Sequence, residues 1–382
     1  MVTLSIQGAA RIPAEPPRSN VPAAPSPFAT TREDPDTYLA WTAGGLPPGF
    51  AAGVRGLPEI RRVVVVASDT TWLTRSFDEH GEIVDDPPPT FSIPLEVAAV
   101  DPADYAPFLP PADRGVAEAL ADGRGVLGES SAKLRGLGPG AVLRFGGVPV
   151  EVAAILPDEL VGAHELLVAR DVGLRIGVTH DRYALLVAKG KPDVDDLTAT
   201  LLEALPSGTL LRVRAPGDTP YFRHADAVLP PVAIKELFGE FAAKPQPGNP
   251  AFLILDPAWV RTHIATHRIP LLGRVTCHVA LFPQIRGVIA QLVEEGLEGT
   301  IHSYSGCYAP RRINRIASAG ISHHSWGIAL DLNVQQGNLF GQAPHQDPRL
   351  VKTFEAWGFI WGGRFIQPDG MHFEYRRPPA GQ

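Results

Sequence analysis

Glycine and proline punctuate this chain so densely that long helices have no room, with 38 Gly and 39 Pro among 382 residues. That frequency favours short strands, tight turns and ordered loops. The length suffices for two domains with a core each. Residues 1 to about 50 gather Pro13, Pro16, Pro17, Pro22, Pro25, Pro27, Pro35, Pro47 and Pro48 among Ala and Ser. Such a composition buries little and reads as an extended, disordered linker.

From about 51 to 225 the pattern is mixed α/β. Val63 to Val66 make a β-branched run suited to a buried strand. Ala141 to Phe145, Gly146-Gly147 and Val148 to Ile155 read as a glycine-turned hairpin. Asp195 to Leu205 fits a short helix with Leu197, Leu201, Leu202 and Leu205 on one face, and Leu210 to Arg214 returns as a strand. His80, His164, His180 and His224 are scattered without partner spacing and read as structural. The run Leu127–Val168 resembles the extracytoplasmic domain of transporter permeases of the lipoprotein-release type over about 40 residues, and contains no chemical motif. This domain is expected to bind or position something.

A second composition shift falls at Lys244-Pro245-Gln246-Pro247-Gly248-Asn249-Pro250, a loop of turn formers. The helix-like stretch Val232 to Ala243 places the start of the last domain near residue 226, giving a domain over 226–382. Within it, Pro283 to Glu295 reads as a helix and Thr300 to Tyr304 as a strand.

The chemistry concentrates in two short segments. In the first, Ser322 to Asn333, period-2 alternation puts Ile328, Leu330 and Leu332 on one face of a strand and Ala329, Asp331 and Asn333 on the other. An aspartate there needs solvent or a compensating cation. His324 lies seven residues earlier, about 23 Å away in an extended chain. It joins Asp331 on one ion only if the chain turns back, which Gly327 permits. In the second, Pro368 to Tyr375, His372 and Glu374 alternate with Phe373 and Tyr375, and Asp369 stands three residues before His372. Two histidines and an aspartate fit a catalytic zinc site that leaves a fourth position for water. A free carboxylate beside it is placed to act as general base.

The joint pattern S-x-H-x-x-G-x-A-x-D, followed by W-G-G-x(5)-D-x-M-H-F-E, resembles the zinc D-alanyl-D-alanine carboxypeptidase and L-alanyl-D-glutamate endopeptidase family. Its members include vancomycin-resistance D,D-peptidases and phage endolysins. The resemblance covers residues 270 to 377 and implies an α+β fold. That fold is a Hedgehog/DD-peptidase-like antiparallel sheet with flanking helices, preceded here by the separate mixed α/β domain. It implies one Zn2+ per chain on His324, Asp331 and His372, with Asp369 as general base. The substrate implied is an amide bond in a peptidoglycan stem peptide, cut as a carboxypeptidase or as an endopeptidase. The family's arginine upstream of the first histidine falls on Arg311, with Arg312 next, in a stretch that departs from the usual S-G-Y-R-S. Ser322, Glu374 and Trp361 are candidates to support the ligands or the substrate. His323 is expected behind the ligands or at the surface, and His278, His302 and His345 outside the site. A non-catalytic zinc-containing recognition module is the rival reading.

A net charge of -7 gives no broad basic surface, so nucleic acid is not an expected partner. No apolar run reaches the roughly 18 residues of a membrane span, and residues 1–20 carry no long apolar stretch of a secretory signal. The two cysteines, Cys277 and Cys307, are either buried thiols or one disulfide. A cell-wall substrate implies an extracytoplasmic location, and a disulfide, if it forms, implies an oxidising compartment.

Overall fold

The computed structural model describes residues 36–218 and 229–376. The first 35 residues, His224 and the position assigned to the domain boundary lie outside the described residues.

One sheet of ten strands organises the N-terminal half. Its order is Leu211–Arg214, Thr37–Thr42, Asp181–Ala188, Ile60–Leu73, Ile93–Val100, Leu166–Ala169, Gly125–Gly128, Val148–Leu156, Val142–Phe145 and Arg75–Phe77. Neighbours run antiparallel except two pairs, Ile93–Val100 with Leu166–Ala169 and Gly125–Gly128 with Val148–Leu156. The valine run lies inside the long strand Ile60–Leu73, and the glycine turn joins the hairpin Val142–Phe145 and Val148–Leu156. The leucine-faced helix spans Val194–Glu203, its N-terminus capped by the Asp193 side chain accepting from the Asp196 N–H.

The proline-rich linker does not extend to residue 50. Thr37–Thr42 is a strand buried along its length, paired on one side with Asp181–Ala188 and on the other with Leu211–Arg214. Its Tyr38, Leu39 and Trp41 contribute core, which outweighs the prolines around it. The loop expected at 244–250 is also replaced. Ala243–Gln246 and Asn249–Leu255 form a two-stranded hairpin, where Pro245 is tolerated because the sheet has only edges. The strand expected at Thr300 begins later. Glu298–Thr300 is a 3-10 turn, and the strand is Tyr304–Gly306.

The C-terminal part contains a four-stranded antiparallel sheet in the order Tyr304–Gly306, Ala329–Leu332, His372–Tyr375, Phe359–Trp361. Helices Phe282–Glu294 and Pro348–Ala356 supply Ile285, Val288, Leu350 and Phe354 to the same core as Ile328, Leu330, Leu332, Phe373 and Tyr375. Helix Pro231–Phe238 joins this core through Val232, Ile234 and Phe238. The chain is thus mixed α and β, with a large N-terminal sheet and a small antiparallel C-terminal one.

The two parts meet through buried charge. Lys235 Nζ lies 2.7 Å from Glu165 Oε1 and 2.9 Å from Glu240 Oε1, and donates to the Pro94 carbonyl at 2.6 Å. Arg135, fully buried, reaches Glu165 at 3.3 Å and Asp85 at 3.1 Å. Such a set is tolerable because every charge has an opposite partner. Cys277 and Cys307 are joined in a disulfide with Cα atoms 5.4 Å apart. No helix among the described residues is long and apolar enough to cross a membrane.

Candidate metal centre

Strands Ala329–Leu332 and His372–Tyr375 pair antiparallel with Asp331 opposite His372, so the register alone sets those two side chains side by side. His324 comes from the 3-10 turn His323–Ser325, capped by Ser322 Oγ accepting from the His324 N–H at 3.4 Å. Gly327 then reverses the chain at φ 69°. A Cβ there would stand 2.7 Å from the His278 amide nitrogen, so only glycine fits. The reversal brings one ligand atom each of His324, Asp331 and His372 within 4.8 Å of one another.

The hydrogen bonds fix which imidazole nitrogens face inward. His324 Nδ1 lies 2.8 Å from the Cys307 carbonyl, which can only accept, so Nδ1 carries the proton and Nε2 presents a lone pair. His372 Nε2 lies 3.1 Å from Glu374 Oε2 and must donate, which turns the Nδ1 lone pair inward. Those two nitrogens stand 3.2 and 3.3 Å from the same oxygen, Asp331 Oδ1. Lone pairs converging on a carboxylate repel unless a cation lies between them. His324 Nε2 is buried and has no hydrogen-bond partner. The donor set of two imidazoles and one carboxylate therefore fits a zinc ion.

In the absence of a cation the pocket draws a proton onto His372 instead. Burial opposes charge on His372, yet Asp331 and Glu374 outweigh it and push its pKa up to about 10. Burial works against ionisation of Asp331 as well, but the two imidazoles hold its carboxyl far below the usual range. Glu374, 5% exposed, also stands 2.8 Å from His323 Nδ1, so His323 lies behind the ligands.

Asp369 sits at the end of the loop before His372. Gly362 makes room for it, since a Cβ on Gly362 would meet the Asp369 carbonyl oxygen at 2.7 Å and Cβ of both Asp369 and His372 at 3.2 Å. This close approach explains Gly362, and the Trp361 ring, 2.2 Å from a Cβ on Gly363, explains the second glycine. Asp369 Oδ1 is buried without a hydrogen-bond partner, and burial, with the nearby Asp331 charge adding, pushes its pKa up to about 6 against His372 and Arg311. Trp361 Nε1 donates to the Gly370 carbonyl at 2.8 Å, so the indole anchors this loop.

The two arginines diverge. Arg311 lies within electrostatic reach of Asp331 and Asp369, though burial lowers its pKa overall. Arg312 turns the other way, donating to the Ala319 carbonyl at 2.6 Å and stacking 5.5 Å over Trp72 of the N-terminal sheet. His278 is a buried core histidine, and His302 and His345 are exposed at the rim of a separate polar cavity of about 370 Å³. Sequence reasoning missed the Cys307 carbonyl, because a backbone acceptor leaves no trace in residue types. Asn333, expected on the strand face with Asp331, instead follows the strand's end in a left-handed conformation. Sequence reasoning also missed the buried amides Asn338 and Gln346 that surround it, whose only signal is their polarity.

Comparison with known proteins yields partial likenesses. No curated protein matches the chain. Among solved structures, the periplasmic region of MacB from Actinobacillus actinomycetemcomitans aligns at 14% identity and a TM-score of 0.32, covering 47% of this chain and 89% of that one. The extracellular domain of the noncanonic ABC-type transporter YknZ from Gram-positive bacteria aligns at 14% identity and a TM-score of 0.29, covering 43% and 88%. Residues 316–375, which hold all three converging ligands and Asp369, match the M15 peptidase family model described as D-alanyl-D-alanine carboxypeptidase.

Proposed function

We propose that the protein is a zinc-dependent peptidase that hydrolyses an amide bond in a peptidoglycan stem peptide. The observation that carries this reading is the pair of inward imidazole lone pairs meeting Asp331, with an unpartnered buried carboxylate, Asp369, beside them. The family match over 316–375 supports the substrate class. On this reading the small C-terminal sheet is of the Hedgehog/DD-peptidase type, and residues 51–225 form a positioning or binding domain extended N-terminally by the strand Thr37–Thr42. The cell-wall substrate and the Cys277–Cys307 disulfide support an extracytoplasmic location.

His324, Asp331 and His372 would hold the ion, with Cys307 and Glu374 fixing the ring tautomers. Bound there, zinc supplies Lewis-acid activation of water and of the scissile carbonyl. Asp369 takes the proton from the attacking water and delivers it to the leaving amine nitrogen. Arg311 supplies positive charge where the carbonyl oxygen becomes anionic. Ser322 shapes the turn that presents His324, and Trp361 holds the loop that carries Asp369.

Mass spectrometry of defined muropeptides tests the proposal. Zinc-loaded protein should release a single fragment. Asp369→Asn should keep stoichiometric zinc and lose about 10²- to 10⁴-fold in turnover. Cleavage by zinc-free protein, or no cleavage of any stem peptide when loaded, would sink the reading.

A further inference from the structure

Beyond Asp331 the chain leaves its strand at Asn333, which adopts a left-handed conformation at φ 56°. The segment that follows bonds to the loop before His372, with Gly341 N–H donating to the Pro368 carbonyl at 2.7 Å, and returns with Gln346. That side chain is 7% exposed and lies in the polypeptide's interior with all its hydrogen-bonding groups engaged. Its Nε2 donates to the Leu332 carbonyl at 3.0 Å and to the Gly370 carbonyl at 3.1 Å. Its Oε1 accepts from Asn333 Nδ2 at 2.9 Å, and Asn333 Nδ2 also donates to the Thr300 carbonyl at 2.7 Å. Both carbonyls held by Gln346 belong to residues directly following a site residue: Leu332 follows Asp331, and Gly370 follows Asp369.

The loop carrying Asp369 is short of other restraints on its carboxylate, since Asp369 Oδ1 has no hydrogen-bond partner. Its position rests on the backbone. Asp369 N–H donates to the Gly362 carbonyl at 2.9 Å, Met371 N–H donates to the Asn338 carbonyl at 3.0 Å, and Gly370 O accepts from Trp361 and Gln346. Two further backbone bonds tie the same loop to the paired strands, Leu332 N–H donating to the Met371 carbonyl at 2.9 Å and His372 N–H to the Asp369 carbonyl at 3.1 Å. Gln346 adds a side-chain bridge between the loop and the strand that carries Asp331. A single primary amide is the side chain suited to this, because it offers two N–H donors to two carbonyls and an acceptor to Asn333.

We propose that Gln346 is a positioning residue that sets the distance between the Asp369 carboxylate and the metal-binding strand. The inference rests on the peptidase reading for its kinetic consequence, but its structural content stands apart from it. Displacement of a reacting group by about 1 Å costs on the order of 10²-fold in rate. Gln346→Met keeps the volume and removes all three hydrogen bonds. Gln346→Glu keeps the shape and, when ionised, sets carboxylate oxygens against both carbonyls.

Two measurements test this. In zinc-loaded protein, both variants should lower kcat by about 10- to 100-fold, with KM within about twofold of wild type and one zinc per chain. In zinc-free protein, hydrogen exchange of amides 369–372 should accelerate at least about tenfold in Gln346→Met, while helix Phe282–Glu294 keeps its protection. Unchanged kcat in zinc-loaded variants, a rate loss that tracks lost zinc, or unchanged exchange at 369–372 would each overturn the assignment. If loaded wild-type protein cleaves no stem peptide, the peptidase reading falls alone, and the exchange experiment still decides the role of Gln346.

Discussion

Replacing Glu374 by Gln probes the metal centre without touching a ligand. Glu374 Oε2 accepts from His372 Nε2 at 3.1 Å and stands 2.8 Å from His323 Nδ1, at 5% exposure. Its charge therefore acts on the site through one imidazole, with little solvent to screen it. A unit charge facing a dication at roughly 6 Å, through an effective dielectric of about 20, gives about 5.5 kcal/mol as a ceiling. Gln keeps an acceptor oxygen for His372 and so retains part of this, while losing the charge that makes Nδ1 a stronger donor to the metal. Outer carboxylates of this kind are worth about 10- to 100-fold in metal affinity, or about 1.4–2.7 kcal/mol. Competition with a chromophoric zinc chelator at neutral pH reads this directly. The expected result is a zinc Kd raised about 10- to 100-fold, with a smaller change in His323→Gln. A Glu374→Gln protein with wild-type zinc affinity would refute the reasoning that Glu374 fixes and charges the His372 ring.

Other expectations follow from the packing. Breaking the disulfide with Cys277→Ser and Cys307→Ser opens a link across 30 residues and should lower stability by about 3.6 kcal/mol on loop entropy. Denaturant titration checks this, and unchanged stability would contradict it. Glu165→Ala leaves Lys235 and Arg135 buried with Glu240 as their one remaining shared carboxylate, so urea unfolding should report a loss of about 1.5–3 kcal/mol from the lost charge-assisted hydrogen bonds. His278 donates from Nε2 to the Phe238 carbonyl and accepts the Ala280 N–H at Nδ1, and burial pushes its pKa down to about 4. The unfolded chain takes up this proton first, so the associated stability is whole above about pH 6.5 and falls as pH drops towards 4. It amounts to at most about 3 kcal/mol. His278→Gln should flatten that part of the slope when unfolding is compared at pH 8 and pH 5, and an unaltered slope would count against it.

The grouping of His324, Asp331 and His372 was legible because a metal site needs particular residue types on particular strand faces. Period-2 alternation around Asp331 and His372 supplies the faces, and Gly327 supplies the only backbone able to reverse the chain there. Asp369 was legible from its spacing to His372. The separation of Arg311 from Arg312 was not, because adjacent residues of an extended segment point opposite ways and only the neighbouring Trp72 shows which is which.

Local composition misled where distant partners outweigh it. Prolines around residue 40 spelled a linker, but Thr37–Thr42 gains a ladder on each side from Asp181–Ala188 and Leu211–Arg214, more than 140 residues away. Pro245 spelled a loop, yet sits in a two-stranded hairpin where its missing N–H costs nothing. The sequence by itself thus determined which side chains can meet a cation and which carboxylate stands three residues before His372. Only the tertiary structure decided how they are held: by the Cys307 carbonyl, the Glu374 carboxylate and the Gln346 amide. Those contacts join segments far apart in the chain, and their hydrogen-bond geometry exists only once both cores have packed.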